Sequence, residues 1–218
     1  MMAVKVGVIG SGDVGKALGN GFLKHGFEVM LGSRNPEKLE EWKKQTKGNA
    51  KIGTFEETGK FGEIVVLAVK GEGAENALKE AGIKNLEGKT VIDVTNPIDH
   101  SKAPENGVLH YFTSLEESLM ERLQKKAPKA NFVKAFNSIG NAFMVNPDFG
   151  GLKPTMFICG NNEKSRKKVS EIVEKFGFDV VDMGKAEAAR AIEPLCMLWC
   201  IPGLVRNEWA HGFKLLKK

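Results

Sequence analysis

The sequence has few of the residues from which covalent crosslinks and metal sites are built. Its 218 residues include three cysteines and four histidines. An odd number of cysteines makes no disulfide framework, so we expect a reducing, cytoplasmic location. Cys196 and Cys200 lie four residues apart on one apolar helix face, without a cluster of histidines or carboxylates beside them. They are predicted to be packing residues, and no metal site is expected.

Long apolar runs and strong charge are also lacking. The longest apolar run, residues 192–205, contains Pro194, Pro202 and Gly203, and we predict no membrane-spanning segment. The chain starts directly with a core strand, so no signal peptide is expected. The net charge is +5, with lysines spread along the chain. Without a basic stripe and aromatic platforms, no nucleic-acid partner is predicted, although the mild positive charge suits anionic cofactors.

What the chain does have is a glycine pattern near its N-terminus. An apolar strand runs into Gly10, Gly12 and Gly15, and an amphipathic helix follows over residues 14–25. In this pattern the first glycine permits a sharp turn, the second lets a pyrophosphate approach, and the third packs the helix on the strand. Free amides at the helix start favour an anion. We predict a dinucleotide-binding turn comprising Gly10, Ser11, Gly12, Asp13, Val14 and Gly15. The alternative is an ordinary glycine-rich turn that binds no nucleotide.

The end of the second strand distinguishes between two dinucleotides. NAD-preferring sites usually have a carboxylate there, which binds the ribose hydroxyls. This chain has Gly32, Ser33 and Arg34, with Lys38 one helical turn further on. A guanidinium can fork onto a 2′-phosphate and stack on adenine, and a hydroxyl can donate a hydrogen bond. The sequence therefore predicts NADP(H) rather than NAD(H). The alternative is a surface Arg34 that pairs with Glu37 or Glu41.

Strands and helices alternate along nearly the whole chain. Eight strands are predicted, near residues 4–9, 28–31, 51–54, 63–69, 89–95, 131–136, 155–159 and 179–182. Continuous apolar runs are typical of strands buried on both faces of a parallel sheet. The predicted fold is a doubly wound α/β fold with a mainly parallel sheet. Two C-terminal helices, over residues 187–200 and 203–214, are expected, which gives a nucleotide-binding domain over residues 1–184 and a short helical extension over residues 185–218.

Ligands of such sheets bind beyond the carboxyl ends of the strands. The residues that follow the fourth, fifth and sixth strands are therefore added to the predicted cofactor site: Ala68, Val69, Lys70, Thr95, Asn96, Pro97, Phe136 and Asn137. Phe136 and Asn137 are expected where the nicotinamide ring face and its carboxamide would lie. Lys70 either reaches a phosphate or a second substrate, or points to solvent.

Several segments together resemble a known family. They are residues 10–15, 32–34, 91–97, 133–140, 159–162 and 189–195. Through them the chain resembles the NADP oxidoreductases that depend on coenzyme F420, the 8-hydroxy-5-deazaflavin. It is also similar to the cytosolic domain of membrane metalloreductases that pass electrons from NADPH to flavin and iron. The resemblance implies a Rossmann domain with a short C-terminal helical extension, NADP(H) binding and a homodimer. Lys70 is a departure, because many members carry proline there.

No Ser/His/Asp, Cys/His or Lys/Tyr constellation is visible, and no catalytic residue is predicted. Hydride transfer between a nicotinamide and a flavin-like ring needs alignment and exclusion of water rather than a general acid. We therefore predict an NADP(H)-dependent oxidoreductase whose second substrate is coenzyme F420 or a flavin. A wall for that ring, or a dimer interface, is expected from Leu195, Trp199, Ile201 and Pro202. The alternatives are a dehydrogenase of a small carbonyl or imine substrate, and an NADP-binding regulator without turnover.

Overall fold

A parallel six-stranded sheet forms the centre of the protein. The computed structural model describes residues 3–218. The strands are β1 (Lys5–Ile9), β2 (Glu28–Gly32), β3 (Ala50–Gly53), β4 (Ile64–Leu67), β5 (Thr90–Asp93) and β6 (Asn131–Lys134). Their order is β3-β2-β1-β4-β5-β6, and every neighbouring pair is parallel. This is the doubly wound order, with its switch point beside β1. The predicted fold class is confirmed.

Helices cover both faces of this sheet. They are α1 (Asp13–Lys24), α2 (Glu40–Gln45), α3 (Phe55–Phe61), α4 (Ala74–Ala81), α5 (Leu119–Lys126), α6 (Glu163–Lys175) and α7 (Ala189–Arg206). On one face, Val6 and Val8 of β1 share a fully buried cluster with Phe22 of α1. On the other face, Leu67 of β4 packs in a cluster with Leu78 of α4. Because the strands are apolar on both sides, the sheet is buried between two helical layers.

A smaller parallel pair extends the architecture beyond β6. It consists of β7 (Thr155–Ile158) and β8 (Asp179–Asp182), which are joined through α6. An antiparallel bridge links Lys134 at the end of β6 to Cys159, where the Lys134 amide donates to the Cys159 carbonyl at 2.9 Å. All eight predicted strands are therefore present, and the second sheet continues the first at its β6 edge.

The C-terminal region differs from the prediction of two helices. One helix, α7, runs through both Pro194 and Pro202, and residues 207–218 contain no helix. The helix ends at Asn207, whose φ of 56° lies in the left-handed region. The Trp209 ring then folds back onto Gly203, where an added Cβ would come within 2.3 Å of that ring. The predicted second helix over residues 203–214 is thus wrong. The chain must instead reverse its direction after α7 to place the Trp209 ring against Gly203.

The segment after α7 returns to the main body of the protein. The Trp199 indole donates to the His211 carbonyl, and the two rings stack with centroids 4.9 Å apart. The Thr155 amide of β7 donates to the Phe213 carbonyl at 2.7 Å. The segment is therefore attached to β7 as an extended strap. The predicted division at residues 184 and 185 stays a prediction.

Because α7 is continuous, one apolar helical stretch is longer than expected. Ala186–Arg206 passes the length and hydropathy criteria for a membrane span, with 33% of its most apolar window buried. The two prolines do not interrupt it, which corrects the expectation from the sequence. Length and composition alone are weak evidence for a span, because a core helix can meet both criteria.

Candidate dinucleotide site

A cleft of about 960 Å³ lies across the carboxyl ends of β1, β2, β4 and β5. Most of the predicted cofactor-binding residues line it: Gly10, Ser11, Gly12, Asp13, Val14, Ser33, Arg34, Lys38, Ala68, Val69, Lys70, Thr95 and Asn96. Four strand ends thus converge on one cavity, as expected for a doubly wound sheet. The volume is in the range of pockets that hold cofactor-sized ligands.

The three glycines of the turn have different surroundings. Gly10 has φ of 129°, and a Cβ there would lie 2.2 Å from the Ala68 carbonyl oxygen. A Cβ on Gly15 would lie 2.0 Å from the Gly10 carbonyl oxygen, and Gly15 is buried behind the cleft. A Cβ on Gly12 would meet nothing within 4 Å. Gly10 and Gly15 are therefore required by the protein's own packing, whereas Gly12 leaves open space toward the cleft.

The N-terminus of α1 opens into that space. Gly12 is its N-cap residue and offers no side-chain cap, so the first amides of the helix remain available to a ligand. Asp13 in the first turn is exposed. A carboxylate at a helix N-terminus interacts favourably with the helix dipole. The geometry is that of an anion-binding helix end with room for a phosphate group.

At the end of β2, a buried serine organises the chain beside an exposed arginine. The Ser33 hydroxyl accepts from the Asn35 amide at 3.1 Å and from the Ser11 hydroxyl at 3.3 Å, which ties this loop to the glycine turn. Arg34 and Lys38 are exposed at the cleft. Neither takes part in any ion pair within residues 3–218. The alternative pairing of Arg34 with Glu37 or Glu41 is therefore not observed, and its guanidinium is free to bind an anion.

The opposite end of the cleft is built by the loops after β4 and β5. Gly71 lies against the Asn96 carbonyl, where a Cβ would come within 2.0 Å of the oxygen. The Glu72 carboxylate accepts from the His100 amide at 3.0 Å and holds the two loops together. Lys70 is exposed at this rim. The lining residues that were not predicted to bind the cofactor are Asn35, Phe55, Gly71, Glu72, Gly73, Asn76, Ala77, Glu80, Val94, Ile98 and His100. Nine of them follow β4 or β5 in the chain, whereas Asn35 follows β2 and Phe55 follows β3. Their place after a strand was the available signal.

Four predicted residues lie outside the cleft lining: Gly15, Pro97, Phe136 and Asn137. Phe136 has φ of 60° and a fully buried ring that packs near Phe176 and Phe178. The positive φ turns its side chain into the core, so the ring is not at the cleft surface where it was expected. The side-chain Nδ2 of Asn137 donates to the Asn96 side-chain oxygen at 3.1 Å and to the Ile192 carbonyl at 3.0 Å. Asn137 thus lies outside the cleft and holds the Asn96 side chain, which lines it.

Below the β5 end lies a buried charge cluster formed by Asp93, Lys134 and Glu193. The Lys134 ammonium lies 2.7 Å from Asp93 Oδ2 and 2.9 Å from Glu193 Oε1, and all three side chains are at most 2% exposed. Burial alone would lower the pKa of Lys134, but the two carboxylates outweigh it and raise this pKa above its ordinary value. The sequence signal was a charged residue inside each of two predicted apolar strands, over residues 89–95 and 131–136.

The cluster joins the C-terminal helix to the sheet. The Glu193 carboxylate of α7 accepts from the amides of Leu119 and Met120 at the start of α5. Nearby, Arg190 binds Glu121 through both Nε and Nη2, and lowers the pKa of Glu121 to about 2. Helix α7 is therefore fixed to α5 and β6 through charged hydrogen bonds as well as apolar contacts.

Residues 3–218 contain no group of three or more His, Cys, Asp or Glu side chains arranged to hold a metal.

Residues 5–97 match the family described as NADP oxidoreductase, coenzyme F420-dependent. This stretch contains the glycine turn, Ser33, Arg34 and the β5 end. The predicted resemblance to this family is confirmed. The match covers the part of the fold that builds most of the cleft.

Relatives extend the similarity to the rest of the chain. Metalloreductase STEAP3 of Rattus norvegicus is 32% identical over 93% of this chain, although the chain spans only 39% of that protein's length. The F420-dependent NADP reductase of Methanothermobacter marburgensis is 27% identical over 94% of this chain and 96% of its own. A crystal structure from Arthrobacter sp. FB24, provisionally described as an F420-dependent NADP-reductase, has a TM-score of 0.92 and 28% identity, and covers 99% of this chain and 100% of its own. Sequence similarity to this chain therefore covers nearly the whole of the F420-dependent NADP reductase and a minority of the metalloreductase.

Proposed function

We propose that this protein is an oxidoreductase that transfers hydride between NADP(H) and a deazaflavin or flavin ring. The observation that carries the proposal is the cleft itself, which combines an uncapped helix end at Gly12 with the Arg34 guanidinium, which is unpaired within residues 3–218. These two features match the pyrophosphate and the 2′-phosphate of one ligand. The names of the relatives, F420-dependent NADP reductase and metalloreductase, support the same class of reaction.

In this proposal each part of the cleft has a defined task. The α1 amides hold the pyrophosphate, while Ser33, Arg34 and Lys38 hold the 2′-phosphate. The loops after β4 and β5, which Glu72 fastens together through His100, enclose the nicotinamide end. Bound NADPH would supply the hydride. The protein's own contribution is to align two rings and exclude water, which requires no proton donor at the reacting carbon.

The change Arg34→Ala tests the cofactor assignment. We expect NADPH binding to weaken about tenfold, because one charge-assisted, bidentate contact to the 2′-phosphate is lost. NADH binding should not change, since NADH lacks that phosphate. Nucleotide fluorescence titrations measure both affinities. Arg206→Ala serves as the matched control, because Arg206 is exposed at the end of α7 and pairs with Glu208. Equal affinity of the unaltered protein for NADPH and NADH would contradict the assignment.

The acceptor is identified by following NADPH consumption with coenzyme F420, FMN, ferric chelates, and a panel of small carbonyl and imine compounds. Turnover with coenzyme F420 or FMN supports the proposal. Turnover with a carbonyl or imine alone would instead support the dehydrogenase alternative. Tight NADPH binding without turnover of any compound would support the alternative of an NADP-binding regulatory protein. Lys70, exposed at the rim, is the residue at which a second anionic substrate is expected to bind.

A homodimer and a cytoplasmic location belong to the same proposal. Exposed apolar side chains cluster on and after α7, namely Leu198, Leu204, Val205 and Trp209. A surface of this kind is typical of a protein interface. Light scattering after gel filtration measures the oligomeric state. Fractionation of cells that express the chain tests the location.

A further inference from the structure

The buried charge cluster lies beneath one particular end of the cleft. Arg34 follows β2 and the glycine turn follows β1, whereas Asp93 ends β5, two strands from β1 on the other side. Neighbouring strands lie about 4.8 Å apart, which puts the β5 end about 10 Å from the pyrophosphate position. A dinucleotide with its 2′-phosphate at β2 and its pyrophosphate at β1 therefore directs its nicotinamide toward β4 and β5.

Thr95 connects the cluster to the cleft. Thr95 lines the cleft, and its amide and hydroxyl both donate to Asp93 Oδ1, at 2.9 Å and 2.6 Å. The Thr95 carbonyl accepts from the Lys134 ammonium at 2.8 Å. Asp93 and Lys134 are thus hydrogen-bonded directly to Thr95, which forms part of the cleft wall at the nicotinamide end.

The cluster carries more negative than positive charge. Glu193 accepts from two backbone amides and Asp93 accepts from Thr95, while the ammonium of Lys134 contacts both carboxylates. Both acids therefore act only as hydrogen-bond acceptors, as ionised carboxylates do. One cation against two carboxylates leaves one net negative charge. Because the three side chains are at most 2% exposed, water and salt screen that charge weakly.

We propose that Asp93 and Glu193 set the preference of the site for the oxidation state of the cofactor. The nicotinamide ring is cationic in NADP⁺ and neutral in NADPH, while the rest of the dinucleotide is identical. A fixed negative charge behind Thr95 stabilises the cationic ring selectively and shifts the binding equilibrium toward NADP⁺. The two acids act through the wall of the cleft, without contact with the ring, and the inference rests on the proposed NADP(H) function.

The test compares the affinities for NADP⁺ and NADPH in Asp93→Asn and in Glu193→Gln. In each variant we expect the ratio of the NADP⁺ to the NADPH dissociation constant to rise about tenfold, because one buried negative charge behind the nicotinamide end is removed. Adenosine 2′,5′-bisphosphate, which lacks the ring, should bind as it does to the unaltered protein. A general loss of structure would weaken all three ligands and would leave the ratio unchanged.

Glu171→Gln is the matched control, because Glu171 is exposed on α6 and its loss changes the total charge by the same amount. Its affinity ratio should equal that of the unaltered protein. If Asp93→Asn does not fold, Glu193→Gln alone decides the matter. An unchanged ratio in a folded variant, or an equal shift in Glu171→Gln, would overturn the inference. An unaltered protein that binds neither NADP⁺ nor NADPH would overturn the proposed function instead.

Discussion

Replacing Gly12 with valine is expected to weaken NADPH binding by on the order of a hundredfold or more while leaving the fold intact. Gly12 has φ of −76° and ψ of −176°, an extended conformation that valine adopts readily. Its Cβ would meet no protein atom within 4 Å. The new side chain would instead fill the space before the α1 amides, and a pyrophosphate could no longer reach them.

Gly15→Ala is the informative counterpart of this variant. A Cβ there would lie 2.0 Å from the Gly10 carbonyl oxygen, so α1 would have to move away from β1. We expect this variant to lose thermal stability in the absence of any ligand. Gly12→Val should melt close to the unaltered protein in the same assay, and fluorescence titration should show its loss of NADPH binding. Normal NADPH affinity in Gly12→Val would mean that the pyrophosphate does not lie at the α1 N-terminus.

Local patterns in the sequence were sufficient to predict the sheet. Strand β4 is a continuous apolar run and most other strands contain a shorter one, and the order of elements restricts how such strands connect. The end of α7 was not predictable in this way. Pro194 and Pro202 locally favour a break, but the observed end depends on Trp209 fitting against Gly203. That contact exists only after the chain has reversed direction.

The residues of the site were likewise predictable only in part. Residues that follow a strand directly, such as Ser33 and Thr95, were found by position alone, because the fold brings strand ends together. Phe136 was expected at the cleft, yet its positive φ turns the ring inward, and no sequence pattern signals that angle for a phenylalanine. The cluster of Asp93, Lys134 and Glu193 joins residues from β5, β6 and α7. Which charged residues meet inside a core depends on tertiary packing, which spacing along the chain does not reveal.

Lys134→Met is expected to destabilise the protein by about 3–5 kcal/mol, because it removes the cation that lies between two buried carboxylates. For a chain of this size, such a loss corresponds to a fall in Tm of about 10 °C. Methionine has a similar length, so lost volume contributes little to this cost. Thermal melts and urea denaturation measure the effect. Lys164→Met, on the exposed face of α6, should change stability by less than about 0.5 kcal/mol.

The pH dependence shows whether charge is the cause. In the unaltered protein the pKa of Lys134 is raised above its ordinary value of 10.5, so its contribution to stability is complete below pH 10.5 and is lost as the pH rises through the folded value. In Lys134→Met, Asp93 and Glu193 would repel each other, and one of them should take up a proton on folding. The variant should therefore regain stability as the pH falls from neutral toward the ordinary carboxylate range, where the unaltered protein gains none from Lys134. A stability deficit that stays constant over this interval would assign the role of Lys134 to packing rather than to charge.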